Sequence, residues 1–256
     1  MKIFLRFFIP LLTLITAIIA RAENFSFKEP FTRTGAFNAT GEIILENING
    51  DVDIHTWDKN EILIEGEKSA KTEEELKLID LTIDLSASAA TLKVKLPKRS
   101  GGWFFSENIR GAVRFKLTVP VGAVLAKVSA VNSTLTLAGV HGKVHGATVN
   151  GSIHATGLAG DTKLETVNGS ITARFDSIVA GQKISLSSVN GPTNVRVPKD
   201  AGLDFHGSTV NGQVDCGFPL LLGQKNRGRK VTGKIGDGRA SLSAETVNGS
   251  VHLESD

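Results

Sequence analysis

Along residues 131–173 apolar side chains return on a nine-residue beat. Counting the residue before each turn pair as position 0, they fall at 0 (Val131, Val140, Val149, Leu158, Val167), at +4 (Leu135, Val144, Ile153, Ile171) and at +6 (Leu137, Ala155, Leu164, Ala173). Thr162 and Gly146 are the interruptions. Ile/Val-Asn-Gly punctuates the beat at 48–50, 149–151, 167–169, 189–191, 210–212 and 247–249, and a related Val-Asn-Ser begins at Val131. Asn132, Asn150 and Asn168 are 18 residues apart, with the weaker turns His141-Gly142 and Ala159-Gly160 between them.

Asn-Gly between apolar runs ordinarily signals a two-residue hairpin, which here would give an antiparallel meander. In such a hairpin positions 0 and +3 share a face and +4 points away, so the apolar set would be split at every turn. A corner that bends the chain without reversing it lets all three positions point inward. The spacing therefore predicts an all-β solenoid, a parallel β-helix or β-roll with 18 residues per coil and stacked Asn-Gly corners. An antiparallel β-sandwich is the alternative. Asn49, Asn132, Asn150, Asn168, Asn190, Asn211 and Asn248 are expected to form a structural turn ladder, since Asn and Gly tolerate the positive φ that such corners often need.

The N-terminal third follows the rule less regularly: Val52, Ile54 and Trp57 sit at +4, +6 and +9 after Asn49 is counted from Ile48. "EILIEGEK", "LTIDLS", "ATLKVKL" and "VRFKLTVPVG" alternate as strands, and "TEEELKLID" predicts a short helix with Thr72 and Glu75 placed as a capping box. Residues 213–246 lack a clean repeat, which places a longer loop around "QKNRGRK".

The first 22 residues, Lys2 and Arg6 ahead of an apolar run from Phe7 to Ala20 and then Ala20-Arg21-Ala22, have the three parts of a cleavable signal peptide. The run is too short to anchor as a span of about 20 residues, and no later segment could cross a bilayer as a helix. The leader holds three of the 29 bases and no acid, so the remaining chain has 26 bases against 26 acids. This balance excludes a whole-protein electrostatic case for nucleic acid. Cys216 is the sole cysteine, so no internal disulfide staples an exported fold.

"LTVPVGAVLAKVSAVNSTLTLAGVHGKVHGATVNGSIHATGLAGDTKLETVNGSI", together with the leader and "LENINGDVDIHTWDKNEILIEGE", resembles the bacterial putative-adhesin family of exported β-repeat proteins. The likeness runs from about Gly41 onward. It implies a right-handed parallel β-helix or related roll in the envelope and brings no catalytic residues with it.

The repeat offers little chemistry. Calcium-binding rolls need repeated carboxylates at the corners, whereas only Asp51 and Asp161 follow a corner glycine here. The outward positions Ser152, His154, Asp161, Lys163, Glu165, Ser170, Thr172 and Arg174 form no acidic column for glycoside chemistry. His145 and His154 share the +5 position and could stack, with His141 nearby, but Lys163 and Thr172 continue that column, so neither a metal nor a cofactor is expected. The distinctive non-repeat stretch is "KRSGGWFFSENIRG", whose Trp103, Phe104 and Phe105, flanked by Arg110, form a candidate binding loop or a cover for the coil.

These readings divide the chain into a leader (1–22), a lead-in (23–40) and one β domain (41–256) with loops near 98–111 and 217–232. They point to a non-enzymatic envelope protein, periplasmic, secreted or at the cell surface, and monomeric. Its partner would be an envelope protein, a glycan or a lipid. A carbohydrate-active β-helix enzyme and a lipid or small-molecule carrier are the competing classes.

Overall fold

The computed structural model describes residues 25–96, 98–99, 107–108, 110–226 and 228–256. The leader and the aromatic stretch Trp103–Phe105 lie outside the described residues. The rest is all-β except for one short helix, Glu73–Lys77, whose N-cap Thr72 accepts a hydrogen bond from the Glu75 N–H. That helix lays Leu76 against the core near the strands Phe27–Ala36 and Glu61–Ala70.

Two large sheets enclose a single apolar core. The ten-stranded sheet runs Phe27–Ala36, Glu61–Ala70, Gly111–Pro120, Val52–Trp57, Leu135–Ala138, Ile153–Leu158, Ile171–Phe175, Thr193–Val197, Val251–Ser255, Val214–Cys216. The eleven-stranded sheet runs Leu221–Asn226, Lys230–Ile235, Leu203–Asn211, Ala240–Asn248, Lys183–Asn190, Thr162–Asn168, Val144–Asn150, Val124–Ala130, Glu42–Glu46, Ala89–Lys95, Asp80–Leu85. Alternation along each strand sends every second side chain inward. Leu135, Leu137, Ile153 and Ile171 of one sheet and Val144, Leu164, Ile184 and Leu242 of the other are all essentially inaccessible to solvent.

The solenoid is overturned. A solenoid stacks its coils in chain order, but the strands here do not follow that order. The last two strands, Ala240–Asn248 and Val251–Ser255, insert between earlier ones: the first lies between Lys183–Asn190 and Leu203–Asn211, the second between Thr193–Val197 and Val214–Cys216. Antiparallel strands also enter both sheets, for example Glu61–Ala70 against Gly111–Pro120 and Leu203–Asn211 against Lys230–Ile235. The result is two mixed, open sheets packed on one another, nearer to the β-sandwich alternative, although the middle of each sheet is parallel. The nine-residue beat could not show this, because it records how far the chain travels between corners and not which strand it lands beside.

Two further readings need correction. Position 0 at the Asn-Gly corners does not point inward: Val131 and Val167 are each 38 % exposed and Val210 is 56 % exposed. The strand Val144–Asn150 continues through the asparagine, so alternation places Thr148 inside and Val149 on the outer side. At the other corners Val140, beyond the end of the strand Leu135–Ala138, and Leu158, after the shift in pairing that follows Ala155, bury fully. Within the stretch read as a loop at 217–232, the strands Leu221–Asn226 and Lys230–Ile235 pair as an antiparallel hairpin.

Among the described residues the inserted C-terminal pair supplies the only parallel partner of Leu203–Asn211 and the strand partner of Val214–Cys216. Deleting residues 240–256 should therefore open residues 203–235 to trypsin while the region from Val124 to Asn168 stays protected. Limited proteolysis with mass mapping checks this, and protection of 203–235 in the truncated chain would show that those strands hold without the insert.

Candidate functional site

At every Asn-Gly corner the chain passes from the eleven-stranded to the ten-stranded sheet, and the corners lie side by side. The seven asparagines form one continuous chain of amides. Each Nδ2 donates to the Oδ1 of the next: Asn132 to Asn49 (2.8 Å), Asn150 to Asn132 (2.9 Å), Asn168 to Asn150 (2.8 Å), Asn190 to Asn168 (2.8 Å), Asn248 to Asn190 (2.7 Å) and Asn211 to Asn248 (2.7 Å). Asn49 ends the chain by donating to the Gly111 carbonyl at 2.9 Å. Every link points the same way, an arrangement in which amide hydrogen bonds polarise one another.

A second rail lies inside the first and was missed in the sequence, though "TVNG" and "SVNG" carry it. Two before five of the seven asparagines stands a buried Thr or Ser whose hydroxyl donates to a corner carbonyl on the neighbouring strand: Thr148 to Ser133 O (3.0 Å), Thr166 to Gly151 O (2.8 Å), Ser188 to Gly169 O (3.0 Å), Thr246 to Gly191 O (2.9 Å) and Thr209 to Gly249 O (2.8 Å); before Asn49 the place is taken by Asn47, whose amide donates to Gly50 O and Val113 O, and before Asn132 by Ala130. Those hydroxyls satisfy carbonyls that the turn would otherwise leave unpaired.

The glycines are required chiefly by proximity. A Cβ on Gly151 would lie 1.9 Å from Ser133 O, one on Gly169 2.1 Å from Gly151 O, and one on Gly249 2.3 Å from Gly191 O. None of these three has a positive φ, whereas Gly50 does, at 101°. The two acidic corner residues are used as caps: Asp51 Oδ1 accepts from Thr134 N (3.0 Å) and Asp161 Oδ1 from Lys183 N (2.9 Å).

The asparagine edge is thus occupied with its own bonds, and the outer faces are where side chains remain available. His145 and His154 do not stack, because they lie on different sheets and so on opposite outer faces. His145 Nε2 approaches Glu165 Oε2 at 3.4 Å beside Lys163. His154 belongs to an in-register polar row, Thr136, His154, Thr172, Asn194 and His252, which crosses five strands of the ten-stranded sheet.

Beside that row the sheet is interrupted. Its pairing shifts between Ala155 and Leu158, a bulge in which Gly157 takes φ of 69°. Next to the bulge lies an open depression of about 300 Å³ floored by Ala173 and Val195. Arg174 and Arg196 stand opposite one another in register on its rim. Asp256 Oδ2 accepts from Arg174 Nε at 2.7 Å, and Glu254 Oε2 from Arg196 Nε at 3.3 Å. The Asp256 hydrogen bond holds the Arg174 guanidinium above its usual pKa range. Among the described residues no group of three or more His, Cys, Asp or Glu gathers as a metal site. Arg110 is exposed and precedes Gly111, whose carbonyl ends the amide chain.

These features define an all-β, two-sheet protein with open outer faces. No protein-family model matches the chain, and no curated protein matches it in sequence. It is similar to solved structures of a putative cell adhesion protein from Clostridium sporogenes (11 % identity, TM-score 0.46, 89 % of this chain and 100 % of that one) and a putative adhesin from Bacteroides fragilis (12 %, 0.35, 88 % and 97 %). A putative lipid binding protein from Parabacteroides distasonis is also similar (11 %, 0.29, 89 % and 96 %). Likeness at this level leaves the activity of this chain to its own geometry. Among the described residues no helix is long and apolar enough to cross a membrane.

The corners yield two predictions. Gly169→Ala should cost about 1–3 kcal/mol in urea denaturation, the usual range for overpacking, while Gly217→Ala, whose nearest foreign atom would be 3.3 Å away, stays within about 0.5 kcal/mol of the parent. Asn168→Asp removes the donor to Asn150 and should cost about 0.5–1.5 kcal/mol at pH 7, the net worth of an exposed hydrogen bond. The deficit relative to the parent should shrink below about pH 4, where the carboxyl regains a proton to donate.

Proposed function

We propose that this chain is a non-enzymatic binding protein of the cell envelope that presents the outer face of its ten-stranded sheet to an extended macromolecule, in the manner of an adhesin. The observation that carries this is the polar row Thr136, His154, Thr172, Asn194 and His252. Parallel strands repeat at about 4.8 Å, so the row offers evenly spaced donors and acceptors on a backbone that does not need to reorganise. Such a surface suits a ligand that is itself extended and repetitive, and weak contacts along it add through multivalency.

A lipid-binding reading is favoured by a different feature, the column of outward valines at Val131, Val167 and Val210 beside the asparagine chain. The two readings separate by experiment. In co-sedimentation with isolated cell envelopes, His154→Ala/Asn194→Ala should lower bound protein several-fold with the thermal midpoint little changed. Val131→Ser/Val167→Ser should leave it unaltered. Loss with the valine variant and not with the row variant would exchange the two readings.

A further inference from the structure

We propose that the depression at Arg174 and Arg196 is a binding site for the carboxylates of a linear acidic polysaccharide, an inference that rests on the outer-face reading above and names its ligand class.

Three independent features converge there. The first is the pair itself. Arg174 and Arg196 are direct cross-strand neighbours, and like charges in that position are destabilising. The fold offsets this with Asp256 and Glu254, whose carboxylates accept from the Nε atoms. The two side chains keep 53 % and 60 % of their surface in solvent. Each guanidinium is thus held through its Nε while much of the side chain stays in solvent, and a planar fork of this kind suits bidentate capture of a carboxylate.

The second feature is the bulge at Thr156 and Gly157. Without it the ladder from Ile153 would continue flush beside Arg174. With it the pairing shifts and a recess lies beside Arg174. Bulges are enriched beside functional sites, where they redirect side chains. The third is the lining. Thr156, Thr172 and Asn194 supply hydroxyl and amide groups, and the floor is small. The lining offers donors and acceptors for a hydroxyl-rich chain above an apolar floor of Ala173 and Val195.

Glu254, Asp256, the His252–Asp215 pair (3.2 Å) and Asp176, which lies beside Gly157 and acts on Arg174, also face this region, so acids outnumber the two arginines, a ligand carboxylate must displace Asp256 or Glu254, and a single one would bind weakly. A polymer with a carboxylate on successive units would overcome that through repeated rebinding, and its binding would fall with salt.

The test uses the full mature chain and polygalacturonate as probe, in biolayer interferometry at low and physiological salt. Its controls are the methyl-esterified polymer, dextran, polyphosphate and poly-glutamate. Polygalacturonate should bind, esterification should weaken binding at least ten-fold, and Arg174→Gln/Arg196→Gln should do the same with the thermal midpoint monitored. Arg174→Lys/Arg196→Lys, which keeps charge but loses the fork and guards against a folding artefact in the Gln pair, should recover only part of the affinity. Arg33→Gln, on a remote edge strand, should have no effect. Absence of polygalacturonate binding, insensitivity to the Arg174 and Arg196 variants, or equal binding of polyphosphate or poly-glutamate would overturn the ligand class. If, in addition, the His154→Ala/Asn194→Ala variant keeps full envelope binding, the outer-face reading falls as well; if that variant loses it, the outer-face reading stands alone.

Discussion

The structure depends on how closely neighbouring corners approach. At the Asn-Gly turns the backbone of one layer comes so near the next that a Cβ on Gly151, Gly169 or Gly249 would overlap a carbonyl oxygen. Glycine is the one residue that permits this contact, and the contact permits the rest. It brings the Gly169 and Gly249 N–H groups to the Asn190 and Asn211 carbonyls at 3.0 Å, and it leaves each corner carbonyl within reach of the buried Thr or Ser hydroxyl beside it. The asparagine amides then fall at the spacing of parallel strands and join into one chain. An alanine at any of these corners would push apart three sets of hydrogen bonds at once.

That dependence explains what the sequence reveals and what it conceals. A recurring corner must recur in its residues, so the Asn-Gly copies, the inward +4 and +6 positions and the short helix capped by Thr72 were all legible. The hydroxyl rail was equally present in "TVNG" but is easily read as strand propensity, since Thr is a favoured strand residue. Position 0 misled because a valine is read as core by default. Its exposure follows only from knowing that the strand runs through the asparagine, which makes Thr148 and not Val149 the inward residue.

The order of the strands was not legible at all. Similar corners make similar bonds whichever way they are ordered: Asn248 links Asn190 to Asn211 at 2.7 Å, as closely as neighbours in chain order are linked. What puts the last strands between earlier ones is the fit of particular inner residues, such as Leu242 beside Ile184 and Phe205, together with the antiparallel hairpin Lys230–Ile235 on the far side of Leu203–Asn211. These are pairwise facts about distant segments, and a local period carries no record of them.

The same logic bears on function. Residues that serve the repeat are tied to it: the asparagines bond one another, the glycines admit backbone, and the corner aspartates cap strands. A binding role therefore has to come from positions the repeat leaves unconstrained, which are the outward-facing side chains, and from places where the repeat is broken. On the ten-stranded sheet both conditions meet at one spot. The strand Ile153–Leu158 bulges, two arginines face each other where neutral or opposite charges would be more stable, and the neighbouring row is polar without being fully committed to internal bonds. The regular corners make the scaffold rigid, and the departures from regularity are where that rigidity can hold a ligand.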